Sequence, residues 1–391
     1  MTDAARLKVW VGTDSVGSLE TSRARYLFSY APDCPAVRFV SLTMPVRRES
    51  YVWHELHPVF QAGLPEGAWG GHLMARLERQ GRWRPMDQLA LWGAGSGRLS
   101  TSPEGATETS PPALRGLAGC MTAQDARLEL AARVENFLER QGLEPEPAQV
   151  AFCPAVSDAN YHYRPASPAR PQERRVESWC FRVARRAGMD VPAAELARDG
   201  RVLRLARSDG AAGARHGRED LAVLQGLGSR QRYAGDAWRL VSAAAAFVAP
   251  VTRISIRREL FRRLALAARL GDRSVSLRHF ALIYDTAESA RLAPCEALCT
   301  SDLTPEPVAG PAPLLPGGEE FRPARGVWRR FAAHCGLAQR EAQAILDWQD
   351  AAVASELQSI EGEVGADEES EVLAAIKPVW AAAAQRLRAA W

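Results

Sequence analysis

Lysine is almost absent from this sequence. Among 391 residues only Lys8 and Lys377 are lysine, whereas 47 residues are arginine. Alanine, glycine and proline are abundant as well, which is typical of a GC-rich genome. The absence has one chemical consequence: no residue from 9 to 376 can offer a lysine amine to a phosphate, a Schiff base or a proton relay.

Long hydrophobic runs, a signal peptide and regularly spaced cysteines are missing too. The longest apolar candidate, 240–251, is shorter than the ~18 residues needed to span a bilayer. Residues 1–10 lack the apolar core of a signal peptide. Seven cysteines at irregular spacing are typical of reduced thiols. We therefore expect a cytoplasmic protein without a membrane-spanning segment.

The charge balance argues against a nucleic-acid-binding protein, and the spacing of metal-ligating residues argues against a zinc protein. The chain has 49 basic and 46 acidic residues, and its net charge of +3 is too small to indicate direct nucleic-acid binding. Cys295 and Cys299 lack a second ligand pair nearby, and His54 and His57 lack a third ligand at a suitable spacing. The sequence therefore predicts no zinc site.

The composition that remains is that of a globular protein, with 47% apolar and 24% charged residues. The length predicts two or three domains. Composition and pattern divide the chain into a β-rich region (1–102), a mixed region (113–228) and a mainly helical region (229–391). The predicted fold class is α+β.

Periodicity predicts the main elements. Strands are expected at 7–11, 16–19, 26–30 and 37–43, and a hairpin at 195–198 and 202–206. Helices are expected at 52–61, 69–79, 123–141 and 176–186, and through most of the chain after residue 228. Strand or loop pieces are expected at 275–284 and 291–292. The acidic segment 361–371 is predicted to be a solvated loop, with a docking segment as the alternative.

Several short motifs follow one another in a distinctive order. In the first region they are Val16-Gly17-x-Leu19, Tyr26-x-Phe28-x-Tyr30, Ser41-Leu42-x-Met44-Pro45, Phe60-x-x-x-Leu64-Pro65-Glu66-Gly67 and a glycine turn over 93–99. Later ones are 176–195, 204–210, Arg218-Glu219-Asp220, and Tyr233 with the segment 238–247. Together they resemble the HipA family, the Ser/Thr kinase toxins of bacterial HipBA-type toxin–antitoxin systems, over nearly the whole chain.

The resemblance implies a two-lobed, protein-kinase-like fold with a small β-rich N-terminal subdomain and a mainly helical C-terminal lobe. It implies ATP and Mg²⁺ as cofactors and a helix-turn-helix antitoxin as partner. By the same resemblance Glu177, Arg207 and Asp209 belong to the nucleotide cleft. A plainer interpretation of Glu177, Glu219 and Asp220 is that they are helix-start or capping carboxylates.

The family's catalytic motifs are degenerate in this sequence. No S-I-x-G-x-Q-x-K loop occurs between 140 and 160, and the phosphate-pairing lysine is missing. Aligning the family's D-G-H-A-K-N-F loop on Phe280 puts Ser274 at the catalytic aspartate, Arg278 at the lysine and His279 at the metal-binding asparagine. With a two-residue insertion, Asp272 would take the aspartate role. On this alignment Ser274 and His279 are fillers of a former site.

The family's metal-binding P-x-x-D motif is altered as well. It becomes Pro294-Cys295-Glu296-Ala297, which leaves Glu296 one residue away from the carboxylate position. Mg²⁺ requires a near-octahedral shell of oxygen ligands, so the loss of these ligand positions should severely weaken Mg²⁺ binding.

These departures predict a pseudokinase that binds no ATP or metal and acts through protein contacts. Its expected partner is a small helix-turn-helix, antitoxin-like DNA-binding protein. The alternative is a divergent active kinase that uses Asp272, Arg278, His279 and Glu296 with ATP and Mg²⁺ to phosphorylate itself or a translation-related protein. An accessory component of phage defence or a genomic island is a third possibility that the sequence leaves open.

Overall fold

The fold was analysed in a computed structural model. It describes residues 6–65, 67–81, 84–93, 97–104, 123–140, 142–144, 156–157, 160–167, 169–210, 215–228, 231–233, 235–303, 314–316, 325–364 and 368–391. The expected glycine-rich loop region and the predicted linker 101–112 lie largely outside these residues.

An antiparallel five-stranded sheet forms the N-terminal region, in the order β4-β3-β2-β1-β5. Its strands are β1 (Arg6–Val11), β2 (Asp14–Ser22), β3 (Arg25–Tyr30), β4 (Tyr51–Trp53) and β5 (Leu99–Ser102). Alternate side chains such as Leu7, Val9 and Phe28 are buried on one face, as the period of two requires. Helices α1 (Pro58–Gln61), α2 (Gly67–Arg79) and α3 (Pro85–Trp92) follow β4.

Two element predictions in this region are wrong. Segment 37–43 is not a strand: it begins in a short 3-10 helix (Ala36–Arg38) and continues in a turn that Ser41 and Met44 close. The Tyr30 hydroxyl supports this path, because it accepts from Val40 N at 2.9 Å and donates to Met44 O at 2.6 Å. Segment 52–61 is not one helix. It starts in β4, and only Pro58–Gln61 is helical, because the residue before a proline disfavours helical backbone.

A second sheet carries the middle of the chain. It has the order β6-β7-β9-β8, with β6 (Val156–Ser157), β7 (Tyr161–Pro165), β8 (Ala194–Leu196) and β9 (Val202–Ala206). Helix α4 (Ala123–Arg140) precedes it, and α5 (Glu173–Arg186) packs against β8 and β9. The predicted hairpin around Asp199-Gly200 is confirmed: Gly200 has a φ of +74°, which favours glycine.

The rest of the chain is mainly helical around a small third sheet. That sheet has the order β10-β11-β12, formed by β10 (Gly217–Asp220), β11 (Ala281–Tyr284) and β12 (Arg291–Leu292). The helices are α6 (Leu221–Leu224), α7 (Ala237–Ala246), α8 (Arg253–Arg269), α9 (Val327–His334), α10 (Gln339–Glu363) and α11 (Glu368–Ala390). The largest core joins α5 to these helices through residues such as Phe261, Phe331 and Trp380.

The chain therefore has the expected α+β, two-lobed architecture. We call the β6–β9 sheet with α5 the upper lobe and the β10–β12 sheet with its helices the lower lobe. The domain limits stay predictions; β10 and α6 precede the limit at 228, yet β10 pairs with β11. None of the described helices is long and apolar enough to cross a membrane.

The acidic segment 361–371 is not simply a solvated loop. Apart from 365–367, which lie outside the described residues, it forms the end of α10 and the start of α11. Glu361 pairs with Lys377, Glu363 with Arg182 and Glu369 with Arg175. Three carboxylates of the segment thus have cationic partners within the chain.

Glu219 joins the N-terminal region to the lower lobe. This β10 side chain is 2% exposed, and its carboxylate accepts hydrogen bonds from Ser41 Oγ (2.6 Å), Leu42 N (2.8 Å) and Tyr284 Oη (2.5 Å). Asp220, beside it, caps α6 by accepting from Val223 N at 2.9 Å. The capping interpretation is thus confirmed for Asp220 but is wrong for Glu219.

Replacing Glu219 should destabilise the fold strongly. In Glu219→Ala the three buried donors lose their acceptor, and at about 1 kcal/mol or more for each we expect a loss of about 3 kcal/mol in the free energy of unfolding, measured by urea denaturation. Glu20→Ala, which removes a half-exposed carboxylate of β2, is the matched control and should change it by less than about 0.5 kcal/mol. Equal effects of the two substitutions would contradict the assigned joint.

Candidate functional site

The predicted site residues come from both lobes and surround the boundary between them. Glu177, Arg207 and Asp209 belong to the upper lobe, on α5 and on the segment after β9. Asp272, Ser274, Arg278, His279 and Glu296 belong to the lower lobe, between α8 and the loop after β12. A hydrogen bond of 2.7 Å from Arg164 Nη1 to the Glu296 carbonyl oxygen crosses the boundary directly.

Arg164 on β7 pairs with Glu177 on α5. Glu177 is 3% exposed and accepts a hydrogen bond from Arg164 Nη1 at 2.6 Å and another from Arg174. Because it lies in the second turn of α5 and faces the cleft, Glu177 is not a cap. In protein kinases a strand lysine pairs with a helix glutamate in this way to organise the ATP phosphates. Here the strand residue that pairs with the helix glutamate is an arginine.

Sequence reasoning missed Arg164. The family resemblance points to a lysine as the phosphate-pairing cation, whereas the strand Tyr161–Pro165 carries an arginine. The alternation of Tyr161, Tyr163 and Pro165 against His162 and Arg164, just before α5, was the available indication. A search for either cation would have found it.

Glu296 is the most strongly engaged carboxylate of the cleft. It is 6% exposed, and Arg218 Nη2 lies 2.6 Å from Oε2 while Ser208 Oγ donates to Oε1. Burial alone would raise the pKa of Glu296, but Arg218, with further help from His162 and Ser208, lowers it to about 2. The carboxylate is therefore ionised and fully occupied. We call the contacts of Glu296 with Arg164, Ser208 and Arg218 the interlobe bridge. Arg164 and Ser208 reach Glu296 from the upper lobe, whereas Arg218 on β10 belongs to the same lobe as Glu296 and keeps its carboxylate ionised.

His162, a β7 residue that the sequence analysis did not single out, lies near this bridge. Its Nδ1 is 2.6 Å from Ser157 Oγ, and burial lowers its pKa to about 4. The imidazole is therefore neutral at neutral pH and adds no further positive charge to the surrounding arginines.

Arg207 and Asp209 satisfy each other. The Arg207 guanidinium donates to both carboxylate oxygens of Asp209, from Nε at 2.9 Å and from Nη2 at 2.5 Å. Both side chains are nearly inaccessible, at 7% and 1% exposure. Two parallel, charge-assisted hydrogen bonds of this kind are strong and directional. The pair lies in the upper lobe, on the segment after β9, with its charges turned towards each other. Its place in a nucleotide cleft stays a prediction.

Asp272 ties its own loop together. Its Oδ1 accepts from Ser274 N at 3.0 Å and Ser274 Oγ at 2.7 Å, and its Oδ2 accepts from Cys299 N at 2.9 Å. The side chain is 1% exposed. Burial raises the pKa of the Cys299 thiol well above its ordinary value, so this neighbour stays protonated. Asp272 and Ser274 are thus brought together, with the serine donating to the aspartate.

His279 and Arg278 point to different surroundings. His279 Nδ1 accepts from Ser276 N at 3.3 Å, and burial lowers the pKa of this imidazole. Arg278 Nη1 instead donates to the hydroxyl of Tyr233 at 2.8 Å, and Tyr233 is 42% exposed. The lysine position of the family loop is therefore directed towards the surface near Tyr233.

The carboxylates of the cleft do not fit a magnesium–nucleotide site as they are placed. Mg²⁺ needs several oxygen ligands in near-octahedral geometry. Glu177, Glu296 and Asp209 are bound by arginines, and Asp272 by backbone and serine donors. Among the described residues no group of three or more His, Cys, Asp or Glu side chains is arranged to hold a metal ion.

Comparison with known families decides the identity of the fold. The family model of the HipA N-terminal domain matches residues 7–101, and that of the HipA-like C-terminal domain matches residues 159–357. The chain belongs to the HipA family. Apart from Ser157, every cleft residue of this chain described above lies within the second match. The family is one of toxin–antitoxin kinases.

A solved structure supports the same fold. It is the complex of HipA, HipB and operator DNA from the toxin–antitoxin system of Shewanella oneidensis MR-1. The matching chain is 15% identical, with a TM-score of 0.68, and the match covers 98% of this chain and 96% of that chain. At this identity the likeness establishes the HipA fold and nothing finer. No curated protein matches the sequence.

Acid titration should reveal the interlobe bridge. The pKa of Glu296 is lowered from 4.5 to about 2 in the folded protein, so its stabilising contribution is complete above about pH 4.5 and is lost as pH falls towards 2. We expect the wild type to lose up to about 3 kcal/mol of unfolding free energy from this group across that window. Glu296→Gln should lack this loss and give a flatter pH profile.

Glu20→Gln is the control for that titration, because it removes a half-exposed carboxylate and should keep the steep profile. Burial lowers the pKa of His162, while the charge of Glu296 raises it, so His162 would respond differently in Glu296→Gln. All three proteins are therefore compared in a His162→Gln background, which removes this contribution. Identical profiles for the wild type and Glu296→Gln, measured by urea denaturation at each pH, would contradict the bridge.

Proposed function

We propose that this HipA-family chain is a pseudokinase that acts by binding a protein partner. The observation that supports this most is the state of the cleft carboxylates: Glu177 and Glu296, at or beside the positions expected to serve ATP and Mg²⁺, are bound by arginines. The cleft is closed by contacts of the chain with itself.

Phosphoryl transfer depends on positioning and on stabilising charge. A kinase needs a base near the acceptor hydroxyl, and the position of the family's catalytic aspartate is Ser274, which cannot accept a proton as a carboxylate does. Asp272 has the right chemistry, but its two oxygens hold Ser274 and the Cys299 amide. Using it as a base would require the loop to rearrange.

The cation expected to bind phosphate also differs from the lysine of the family. A lysine presents a compact ammonium on a flexible stem, whereas Arg164 presents a planar fork that is already shared between Glu177 and the Glu296 carbonyl. Separating buried ion pairs of this kind costs about 3–5 kcal/mol. A nucleotide would have to overcome that penalty before gaining any contact of its own.

The partner is inferred from family and fold. The Shewanella oneidensis relative of this fold was determined in complex with HipB and operator DNA. We infer that this chain binds a small helix-turn-helix protein of the antitoxin type, and that any contact with DNA is made chiefly through that partner, because the net charge is only +3.

Nucleotide binding tests the proposal directly. Isothermal titration calorimetry with ATP and Mg²⁺ should give no saturable heat with this chain, because the cleft carboxylates and Arg164 are already paired. A Mg²⁺-dependent micromolar affinity would overturn the proposal. Transfer of ³²P to the chain itself or to a translation-related protein that vanishes in Asp272→Ala would establish the active-kinase alternative in its place.

The partner is tested separately. We expect a gene for a small helix-turn-helix protein beside the gene for this chain, and we expect the two proteins to co-purify as a stoichiometric complex in size-exclusion chromatography with light scattering. Asp272→Ala and Ser274→Ala should leave the complex intact, since binding does not use the degenerate loop. Two proteins that elute separately at micromolar concentration would contradict this partner.

A further inference from the structure

Helix α5 carries functional side chains on two opposite faces. Glu177 faces the cleft and Arg164. Arg175, Arg182 and Arg186 are spaced seven and four residues apart, which at 3.6 residues per turn places them along one stripe. Glu177 is two residues from Arg175, a rotation of roughly 200° about the helix axis, so the stripe lies on the side away from the cleft.

The C-terminal helices α10 and α11, which we call the C-terminal hairpin, contact this stripe. Glu356 on α10 is 2% exposed and lies 2.5 Å from Arg182 Nε and 2.8 Å from Arg186 Nε. Glu363, two turns further along α10, accepts from both terminal nitrogens of Arg182 at 2.6 and 2.7 Å. Arg186 is therefore held by one carboxylate of α10 and Arg182 by two.

Arg175 extends the contact to a third element. Its guanidinium pairs with Glu369 on α11 and packs against Gly200 in the β8–β9 turn. A Cβ added at Gly200 would lie 2.3 Å from Arg175 Nη2, so glycine leaves the space that this guanidinium occupies. The stripe thereby connects the upper-lobe sheet, α5 and the C-terminal hairpin.

We propose that the α10–α11 hairpin is a latch that keeps α5 in its closed position and thereby maintains the Arg164–Glu177 pair without a ligand. The latch consists of Glu356, Glu363 and Glu369 with Arg175, Arg182 and Arg186. Because a helix moves as a rigid body, shifting Glu177 away from Arg164 also pulls the stripe away from the hairpin. Buried Glu356 would then lose both cations, which is strongly unfavourable.

A second contact ties the hairpin to the lower side of the cleft. Trp380 on α11 is 2% exposed and donates from Nε1 to Thr300 Oγ1 at 2.8 Å. Thr300 follows Glu296 by four residues, and its hydroxyl is 3.5 Å from Cys180 Sγ on α5. The hairpin thus contacts both the helix that carries Glu177 and the loop that carries Glu296. The latch rests on these contacts and does not depend on the proposed function.

Hydrogen exchange monitored by mass spectrometry tests the latch. In Glu356→Gln we expect amides of β7 and α5 to exchange about tenfold faster than in the wild type, because the closed position loses its anchor. Amides of β1 and β2, which are remote from α5, should be unchanged. Asp347→Asn is the matched control: it removes one carboxylate from the same helix, where Asp347 accepts a hydrogen bond from Gln343, and should leave all rates unchanged.

A double-mutant cycle completes the test. Arg186→Gln should accelerate exchange in β7 and α5, and the double variant Glu356→Gln/Arg186→Gln should exchange little faster than Glu356→Gln alone, because that single change already removes the Arg186–Glu356 pair. Unchanged exchange in β7 and α5 of Glu356→Gln would overturn the latch. Equal acceleration in β1 and β2 would also overturn it, because it would indicate general destabilisation.

The outcomes for the latch and for the pseudokinase are distinguishable. Calorimetry with ATP and Mg²⁺ on the wild type decides whether the cleft takes a nucleotide. Hydrogen exchange without nucleotide decides whether the hairpin holds α5. A wild type that binds ATP but shows the local acceleration in Glu356→Gln would refute the pseudokinase and uphold the latch.

Discussion

Glu296, whose carboxylate is buried, makes the contacts on which the closed cleft depends. Arg218 and Ser208 hold its two oxygens, and Arg164 reaches its backbone carbonyl from the opposite lobe. A buried carboxylate is tolerated only when it is paired, and the arginine lowers the pKa of Glu296 to about 2. The same pairing that makes burial possible also removes Glu296 as a ligand for a metal ion. The stability of the buried carboxylate and the loss of catalysis that we propose would therefore have one physical origin.

The scarcity of lysine matches the way in which arginine side chains pair in the structure. A guanidinium can serve two acceptors at once in fixed directions, and Arg164, Arg182 and Arg207 all do so. An ammonium at Arg182 or Arg207 could not reproduce the bidentate pairing with a carboxylate. The genomic bias towards arginine thus coincides with a fold that uses bidentate arginine–carboxylate pairs.

Much of the fold could be predicted from periodicity, and the site only in part. The strands around Val9 and Phe28 and the final helix around Trp380 follow from patterns of two and of 3.6 residues, and ordered motifs indicated the HipA family. Segment 37–43 has the composition of a strand, but the Tyr30 hydroxyl, distant in sequence, satisfies its backbone. Glu219 looked like a helix-start residue because its acceptor role involves Ser41 and Tyr284 from other regions. Such long-range pairings leave no local pattern.

The most direct measurement of the central claim is a crystal structure of the protein grown with a non-hydrolysable ATP analogue and Mg²⁺ in large excess. If the cleft is closed as proposed, Arg218 should still contact Glu296, Arg164 should still contact Glu177, and no nucleotide should lie between the lobes. A nucleotide bound in the cleft, with Mg²⁺ coordinated by Glu296 or Asp272 and the interlobe bridge broken, would contradict it.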